Sequence, residues 1–218
     1  MGRTKCVLLG IFSILFQFTL AILGWGGIAA FFAIPAIRVM AATTVVIAIA
    51  AFFVGGNVSS GIKEDKGNRW VLKAFSVIAI LLAYLAAYTD RKNFLTLDGD
   101  ATRWTGIVLY VVGAIVRLWP VYVLGNRFSG LVAIQEGHTL ETRGIYGVIR
   151  NPSYLGMLIN AEGWALCFRS GVGLALAASL LIPLVARMHA EERLLWEHFG
   201  AEYEAYFKRT WRLVPGVY

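Results

Sequence analysis

The sequence carries little charge for its length. Only 15% of its 218 residues are Asp, Glu, Lys or Arg, whereas 58% are hydrophobic, and the mean hydropathy is +0.67. A water-soluble domain of this size needs more charge to cover its surface. The apolar residues form continuous runs instead of alternating every second residue, which excludes a transmembrane barrel. The pattern predicts an all-α integral membrane protein, because helices satisfy their own backbone hydrogen bonds in lipid.

Cysteine and histidine are scarce as well. The chain has two cysteines, Cys6 and Cys167, both within apolar runs, and three histidines. Because no Cys-x-x-Cys or mixed Cys/His ligand spacing occurs, neither a disulfide framework nor a metal site is predicted. The net charge of +7 comes from basic residues spread between the apolar runs and over the last third, not from one soluble basic face. Nucleic acid is therefore not an expected partner, whereas membrane lipids with anionic head groups are.

The apolar runs predict about six membrane-spanning helices, since each crossing needs roughly 20 mostly apolar residues. The first is interpreted as a retained span, because its apolar run continues past Pro35 with no clear signal-peptide cleavage pattern. Only Arg169-Ser170-Gly171 separates the last two runs, which forces an antiparallel hairpin. The predicted spans cover about 6–24, 39–58, 70–88, 104–124, 154–168 and 172–188.

The polar segments lie in the C-terminal part of the chain. Residues 126–150 mix polar, charged and glycine residues, and residues 189–212 predict an amphipathic C-terminal helix. Lys and Arg are concentrated on the side of the membrane that would hold both termini and these polar segments. By the positive-inside rule, that side is the cytoplasm. The apolar face of the C-terminal helix comprises Leu194, Leu195, Phe199, Tyr203, Tyr206 and Phe207.

Two polar motifs precede or begin the fifth predicted span. Pro152 suits the first turn of that helix, with Asn151 as its N-cap, and Gly144 allows a tight turn upstream. Free backbone N–H groups at such a helix start can hold an anion, for example an amino-acid carboxylate. A polar loop that merely caps the helix explains the pattern equally well. The motifs read His138-Thr139-Leu140-Glu141-Thr142-Arg143-Gly144-Ile145-Tyr146 and Arg150-Asn151-Pro152-Ser153-Tyr154-x-Gly156.

Further charged residues lie within or beside the predicted spans. Arg187 and Glu191 are four residues apart and therefore share one face of a helix. They could belong to a polar site or form a solvated ion pair at the membrane boundary. Arg117 and Glu162 fall inside predicted spans, where charge is costly and usually paired. We expect these two residues to form a structural pair in preference to a substrate site.

Taken in order, the motifs resemble the isoprenylcysteine carboxyl methyltransferase family and its phospholipid methyltransferase-like relatives. That family shows His-Thr-Leu-x-Thr-x-Gly-x-Tyr, Arg-His-Pro-x-Tyr-x-Gly, an apolar hairpin, Arg-x-x-x-Glu-Glu, Phe-Gly-x-x-Tyr-x-x-Tyr and a late proline. This sequence has each in that order between about Arg127 and Pro215, except that Asn151 replaces the usual histidine. Asparagine can hydrogen-bond a carboxylate but carries no positive charge. The resemblance divides the chain into N-terminal membrane helices, 1–125, and a methyltransferase region, 126–218.

The resemblance implies S-adenosylmethionine as cofactor and S-adenosylhomocysteine as product. It also implies that Arg187 and Glu191 are catalytic and that Arg187 contacts the substrate. The expected acceptor is the carboxylate of a lipophilic, isoprenylcysteine-like molecule, which a guanidinium can hold and which needs no general base. The cofactor contacts implied by the family are Gln135, His138, Thr139, Leu140, Glu141, Tyr146, Asn151, Pro152, Ser153, Tyr154 and Glu191.

The sequence leaves other functions open. N-methylation of a phospholipid amine is the main rival, and it would require a base, because the amine must first lose a proton. A non-catalytic membrane protein or a transporter is a different class, although the polar motifs cluster at one face and no inverted repeat is visible. A sterol-reductase-like protein with a nicotinamide cofactor is a further alternative. The sequence identifies neither the acceptor nor the oligomeric state.

Overall fold

Long apolar helices make up most of the chain. The structure, a computed structural model, describes residues 3–54, 61–125, 129–135, 137 and 139–218. Two short strands, β1 (Lys63–Glu64) and β2 (Ala133–Ile134), pair antiparallel. The helices are α1 (Arg3–Trp25), α2 (Ile28–Phe32), α3 (Pro35–Val54), α4 (Trp70–Arg91), α5 (Asp100–Leu124), α6 (Pro152–Cys167), α7 (Gly171–Ser179), α8 (Leu181–Phe199) and α9 (Ala201–Arg209).

In the part of the chain that the structure describes, three helical stretches are long and apolar enough to cross a membrane. They are Lys66–Arg91, Asp100–Leu124 and Gly171–Phe199, with mean hydropathies of 2.1, 2.1 and 1.8. At most 39% of each apolar window is buried inside the protein, so most of its surface is available to lipid. Two shorter apolar stretches, Leu9–Trp25 and Pro35–Ala51, lie in α1 and α3. The prediction of a helical integral membrane protein is confirmed, while the count of six crossings stays a prediction.

The helix bounds differ from the predicted spans mainly at the C-terminal side. The sixth span was expected to end at residue 188, but α8 continues to Phe199. Pro183 lies in the first turn of α8 and has no backbone N–H to continue the helix from α7, which explains the break between them. Gly200, with φ of +53°, ends α8, so the predicted amphipathic helix is divided between α8 and α9. The end of the predicted second span, beyond Val54, lies outside the described residues.

Helices α5 and α6 are in backbone contact through glycines. A Cβ atom placed on Gly113 of α5 would lie 2.3 Å from the Asn160 backbone nitrogen, and one on Gly163 of α6 would lie 2.3 Å from the Tyr110 nitrogen. Gly156 meets the backbone of Arg117 equally closely. Small residues allow membrane helices to approach in this way, where van der Waals packing replaces the hydrophobic effect. This contact fixes the start of α6 beside the C-terminal part of α5.

The bundle has two distinct ends, which we name by their loops. At the motif end, β1 pairs with β2, and the Arg150 backbone N–H donates to the Trp211 carbonyl at 2.8 Å. At the hairpin end, which holds the α6–α7 link, the Leu97 N–H donates to the Arg169 carbonyl at 2.8 Å. The short α6–α7 link therefore forms the predicted antiparallel hairpin, and the polar motifs lie at the opposite end from it.

The predicted pair between Arg117 and Glu162 is wrong. Arg117 Nη1 donates to the Ser153 carbonyl at the start of α6, at 3.4 Å, while Glu162 is exposed about two and a half turns further along the same helix. The register of α5 against α6 explains the difference, because Gly156 and not residue 162 is level with Arg117. A sequence shows which charged residues lie within apolar runs, but it does not give the register of two antiparallel helices.

Candidate functional site

A cavity of about 260 Å³ opens at the motif end of the bundle. It lies where the loops after α5 meet the first turn of α6, the middle of α8 and the two tyrosines of α9. Most of the residues that the family resemblance implied come together around it. Those that line it are Leu140, Glu141, Tyr146, Asn151, Pro152, Ser153, Tyr154, Arg187 and Glu191.

Two of the implied residues that the structure describes stand apart from this group. Gln135 is buried but does not line the cavity, and Thr139 is exposed. Gln135 follows β2, and its amide lies close to Gly61, across the strand pair. His138 lies outside the described residues. The structure thus brings eight of the eleven implied cofactor contacts to the cavity, together with Arg187, while Gln135 and Thr139 do not line it.

Arg187, Glu191 and Tyr154 form one hydrogen-bonded network. Arg187 Nε donates to the Tyr154 hydroxyl at 2.5 Å and to Glu191 Oε1 at 3.2 Å, and the Tyr154 hydroxyl donates to the same carboxylate oxygen. Arg187 Nη2 donates to the Gly130 carbonyl at 2.9 Å. The Arg187 residue is only 5% exposed, so its planar group is held from several sides. Among the described residues Nη1 has no hydrogen-bond partner, which leaves one edge of the guanidinium for a ligand.

A second ion cluster, which the sequence did not predict, stands beside this network. Glu192 accepts from Arg150 Nε at 3.1 Å and from Arg212 Nη2 at 2.7 Å. Arg150 also donates to the carbonyls of Phe207 and Thr210, and its guanidinium lies 4.2 Å from the centre of the Phe207 ring. In the sequence, Glu192 is only the final residue of the Arg-x-x-x-Glu-Glu motif. Its two partners lie 42 and 20 residues away in sequence, so no local spacing indicated them.

The C-terminal segment closes one side of the site through backbone contacts. The Trp211 N–H donates to the Val148 carbonyl at 2.9 Å, and the Asn151 side-chain amide donates to the Arg212 carbonyl at 3.0 Å. Asn151 makes no side-chain cap bond to α6. The residue that departs from the family histidine is therefore one of those that hold the C-terminal segment against the first turn of α6.

Two tyrosines of α9 form the remaining polar wall. Both Tyr203 and Tyr206 are buried, and the Tyr206 hydroxyl donates to the Tyr146 carbonyl at 2.8 Å. Burial raises the pKa of both phenols above their ordinary value, so they remain neutral donors at physiological pH. The sequence analysis placed both tyrosines on an apolar helical face and in the Phe-Gly-x-x-Tyr-x-x-Tyr motif. In the structure both residues line the cavity.

The other wall of the cavity is apolar. It comprises Leu72 and Phe75 of α4, Leu124 of α5 and Met157 of α6. Leu72, Phe75 and Leu124 belong to helices that are long and apolar enough to cross the membrane. A ligand here would meet charged groups at one side and hydrocarbon at the other, which suits a molecule with a polar head and an apolar tail.

The chain is similar to known membrane methyltransferases over more than half its length. A family model described as phospholipid methyltransferase matches residues 101–202. Protein-S-isoprenylcysteine O-methyltransferase A of Arabidopsis thaliana is 31% identical over 147 residues, which cover 64% of this chain and 73% of that protein. The protein-S-isoprenylcysteine O-methyltransferase of Dictyostelium discoideum is 28% identical over 146 residues, covering 65% of this chain and 61% of that protein.

A solved structure also resembles the whole chain. It is that of a eukaryotic intramembrane Ras methyltransferase, isoprenylcysteine carboxyl methyltransferase, determined without a monobody. The two chains are 17% identical with a TM-score of 0.49, and the match covers 98% of this chain and 86% of the other.

The fold and the site together define a helical integral membrane protein with a polar, arginine-containing cavity at one end of its bundle. The Arabidopsis protein is 31% identical and is covered over 73% of its length, and this match identifies the family. The chain belongs to the protein-S-isoprenylcysteine O-methyltransferase family. The family membership predicted from the ordered motifs is confirmed.

Proposed function

We propose that the protein is an S-adenosylmethionine-dependent methyltransferase that esterifies the carboxylate of a lipophilic, isoprenylcysteine-like acceptor. One observation carries this proposal beyond family membership. Arg187 is fixed by Glu191 and Tyr154 at a cavity that is also lined by apolar side chains of α4, α5 and α6, so an anion-binding group and hydrocarbon surface share the same space. That combination fits an acid with an apolar tail.

The residues at the cavity fit the cofactor's chemistry. Its methionine part carries an ammonium and a sulfonium, and the carboxylates of Glu141 and Glu191 both line the cavity. Its carboxylate would suit the first turn of α6 at Asn151 and Ser153. By family resemblance, the residues that would hold it are Leu140, Glu141, Tyr146, Asn151, Pro152, Ser153, Tyr154 and Glu191, together with Gln135, His138 and Thr139. When bound, S-adenosylmethionine supplies an activated methyl group, whose S–C bond breaks as the C–O bond of the ester forms.

The protein's own residues have a limited task in this reaction. A carboxylate is already ionised at neutral pH, so no general base is required. Arg187 orients the acceptor oxygen, and Tyr154 and Glu191 hold Arg187 in place. Such alignment is a large source of rate acceleration when donor and acceptor are held at reacting distance. The apolar wall keeps the tail in contact with hydrocarbon and excludes water.

N-methylation of a phospholipid amine is the second candidate, because the matching family model is that of phospholipid methyltransferases. An amine acceptor must lose a proton before it can attack. Glu191 Oε1 already accepts hydrogen bonds from Arg187 and Tyr154, so this oxygen is engaged within the protein instead of being free to take a proton from an amine. This argument favours the carboxylate acceptor.

We also propose that the chain crosses the membrane six times, with both termini and the site on the cytoplasmic side. The position of β1 and the C-terminal segment at one end of the bundle supports this arrangement. The test is labelling of single cysteines at Ile62 and Tyr218 in sealed vesicles. Both should react with an impermeant thiol reagent from the same face, and labelling from opposite faces would contradict an even number of crossings.

The direct test of the function uses the protein purified in detergent. S-adenosylhomocysteine should bind, whereas NADPH should not, and Glu191→Gln should weaken the binding of S-adenosylhomocysteine. Methyl transfer from radiolabelled cofactor is then measured in liposomes with acids that share one head group and differ in tail length. Turnover should rise with tail length. Transfer to phosphatidylethanolamine but to no acid would support the second candidate, and binding of NADPH alone would overturn both.

A further inference from the structure

Arg117 lines the cavity, and no carboxylate among the described residues forms an ion pair with it. Among the described residues its one side-chain hydrogen bond is that from Nη1 to the Ser153 carbonyl, and at 3.4 Å it is long. The other arginines that line the cavity are both paired: Arg150 with Glu192 and Arg187 with Glu191. Arg117 is thus the exception among three.

The position of this charge makes its lack of a partner costly. Arg117 belongs to α5, a helix long and apolar enough to cross the membrane, and ionisable groups there are normally paired or functional. Glu162, the partner expected from the sequence, is exposed elsewhere on α6. Glu141 lines the same cavity but accepts from the Arg143 backbone N–H within its own loop. Within the described part of the chain, Arg117 is therefore a cation at the cavity to which a ligand can supply the counter-ion.

Arg117 and Arg187 approach the same turn of α6. Arg117 donates to the carbonyl of Ser153, and Arg187 donates to the hydroxyl of the next residue, Tyr154. Both arginines line the same cavity. Elsewhere this chain twice holds one carboxylate between two arginines, at Asp90 and at Glu192. At the cavity there are two arginines in a similar relation, and an external anion could complete the arrangement.

From these contacts we propose that Arg117 and Arg187 together bind the carboxylate of the acceptor, and that Arg117 is the residue that distinguishes the acid from its ester. This inference rests on the proposed function, in which the acceptor is a lipophilic acid. Leu124 of the same helix and Met157 line the cavity with Arg117 and provide the surface for the tail. Methylation removes the acceptor's charge, so the ester loses its attraction to both arginines and leaves.

The test measures binding instead of turnover. An S-prenylated N-acetylcysteine and its methyl ester differ only in the charge at the carboxyl group. In the wild-type protein the acid should bind more tightly than the ester. Arg117→Gln should weaken binding of the acid about tenfold or more, because a hydrogen-bonded charged contact is lost, and should leave binding of the ester unchanged. Arg117→Lys, which keeps the charge, should recover part of the affinity for the acid.

Controls separate this role from a structural one. Arg38 is an exposed arginine on the apolar helix α3, and Arg38→Gln should change neither affinity. If Arg117 only fixes α6 through Ser153, then Arg117→Gln should weaken the binding of the ester and of S-adenosylhomocysteine as much as the binding of the acid. That result would overturn the proposal. Equal affinities for acid and ester in the wild type would overturn it as well. Failure of the wild type to transfer methyl groups would instead count against the proposed function, because the acid–ester comparison needs no cofactor.

Discussion

Each end of the bundle contains a buried carboxylate that is paired with two arginines, but the surroundings of the two clusters differ. At the hairpin end, Asp90 lies between Arg103, with a 2.6 Å contact, and Arg169, with a 2.8 Å contact. At the motif end, Glu192 lies between Arg150 and Arg212 at 3.1 and 2.7 Å. Both carboxylates are buried, with side-chain exposures of 0% and 9%.

The surroundings of the two clusters differ. Arg103 also donates to the Cys167 carbonyl, so the Asp90 cluster ties α4 and α5 to the α6–α7 link, and Asp90 does not line the cavity. Glu192 does line it and adjoins Glu191, the partner of Arg187. We infer that the first cluster contributes stability alone, while the second also shapes the site. The following predictions test that difference.

The largest effect is expected for Asp90→Asn. This change leaves the buried Arg103 and the partly buried Arg169 without their counter-ion, which should lower the free energy of unfolding by about 3–5 kcal/mol. Unfolding in detergent, followed by heat or denaturant, measures it. The exposed Asp98→Asn is the matched control and should have little effect. The folded fraction of Asp90→Asn should bind S-adenosylhomocysteine normally, and a large loss of that affinity would contradict the division between the two ends.

Arg187→Lys should reduce turnover about 100-fold, because lysine keeps the charge but cannot hold the acceptor with a planar group. Stability and affinity for S-adenosylhomocysteine should change little. Initial rates and equilibrium binding are compared in the same preparation. Arg193→Lys, at an exposed position of the same helix, should be close to wild type. Wild-type turnover in Arg187→Lys would show that Arg187 and Glu191 form only a structural ion pair.

Glu192→Gln should lower both the stability of the protein and its affinity for S-adenosylhomocysteine, each by a smaller amount. It weakens the contacts to Arg150 and Arg212, so the C-terminal segment should hold the first turn of α6 less firmly. We expect about tenfold weaker binding of S-adenosylhomocysteine, since contacts to a charged group contribute about 1.5–3 kcal/mol. Its stability loss should be less than that of Asp90→Asn. Glu202→Gln is the exposed control, and a stability loss without any loss of affinity would make the two clusters equivalent.

The smallest effect is expected for Asn151→His, which restores the family's usual residue. An imidazole N–H can replace the amide that donates to the Arg212 carbonyl, so the segment should stay in place. Affinity for S-adenosylhomocysteine should stay within about threefold, and it should be highest below the ordinary histidine pKa of about 6.5, where the ring is charged. Binding isotherms on both sides of that pH measure it. Complete loss of binding would show that the loop departs from the family's geometry.

The sequence predicted the features that depend only on neighbouring residues along the chain. The apolar runs gave α4 and α5 within a few residues, and the four-residue spacing of Arg187 and Glu191 predicted a pair that the structure contains. The pairing of Asp90 with Arg169 spans 79 residues and depends on how α4 meets the α6–α7 link. The same limit explains the error at Arg117, since the glycine register of α5 and α6 decides its neighbours.

The glycine contact between α5 and α6 also restricts how the molecule can move. Two helices whose backbones touch at Gly113 and Gly163 cannot separate without losing that contact along its length. Any motion that admits a long tail must therefore come from α4, which contributes Leu72 and Phe75 to the apolar wall, or from the loop that carries Gly130. Spin labels on α5 and α6 should keep a constant separation during turnover, while labels on α4 and α5 should show a broader distribution of distances. The half of the cavity that carries Arg117 and Ser153 would then be a fixed reference surface, against which the other half opens and closes.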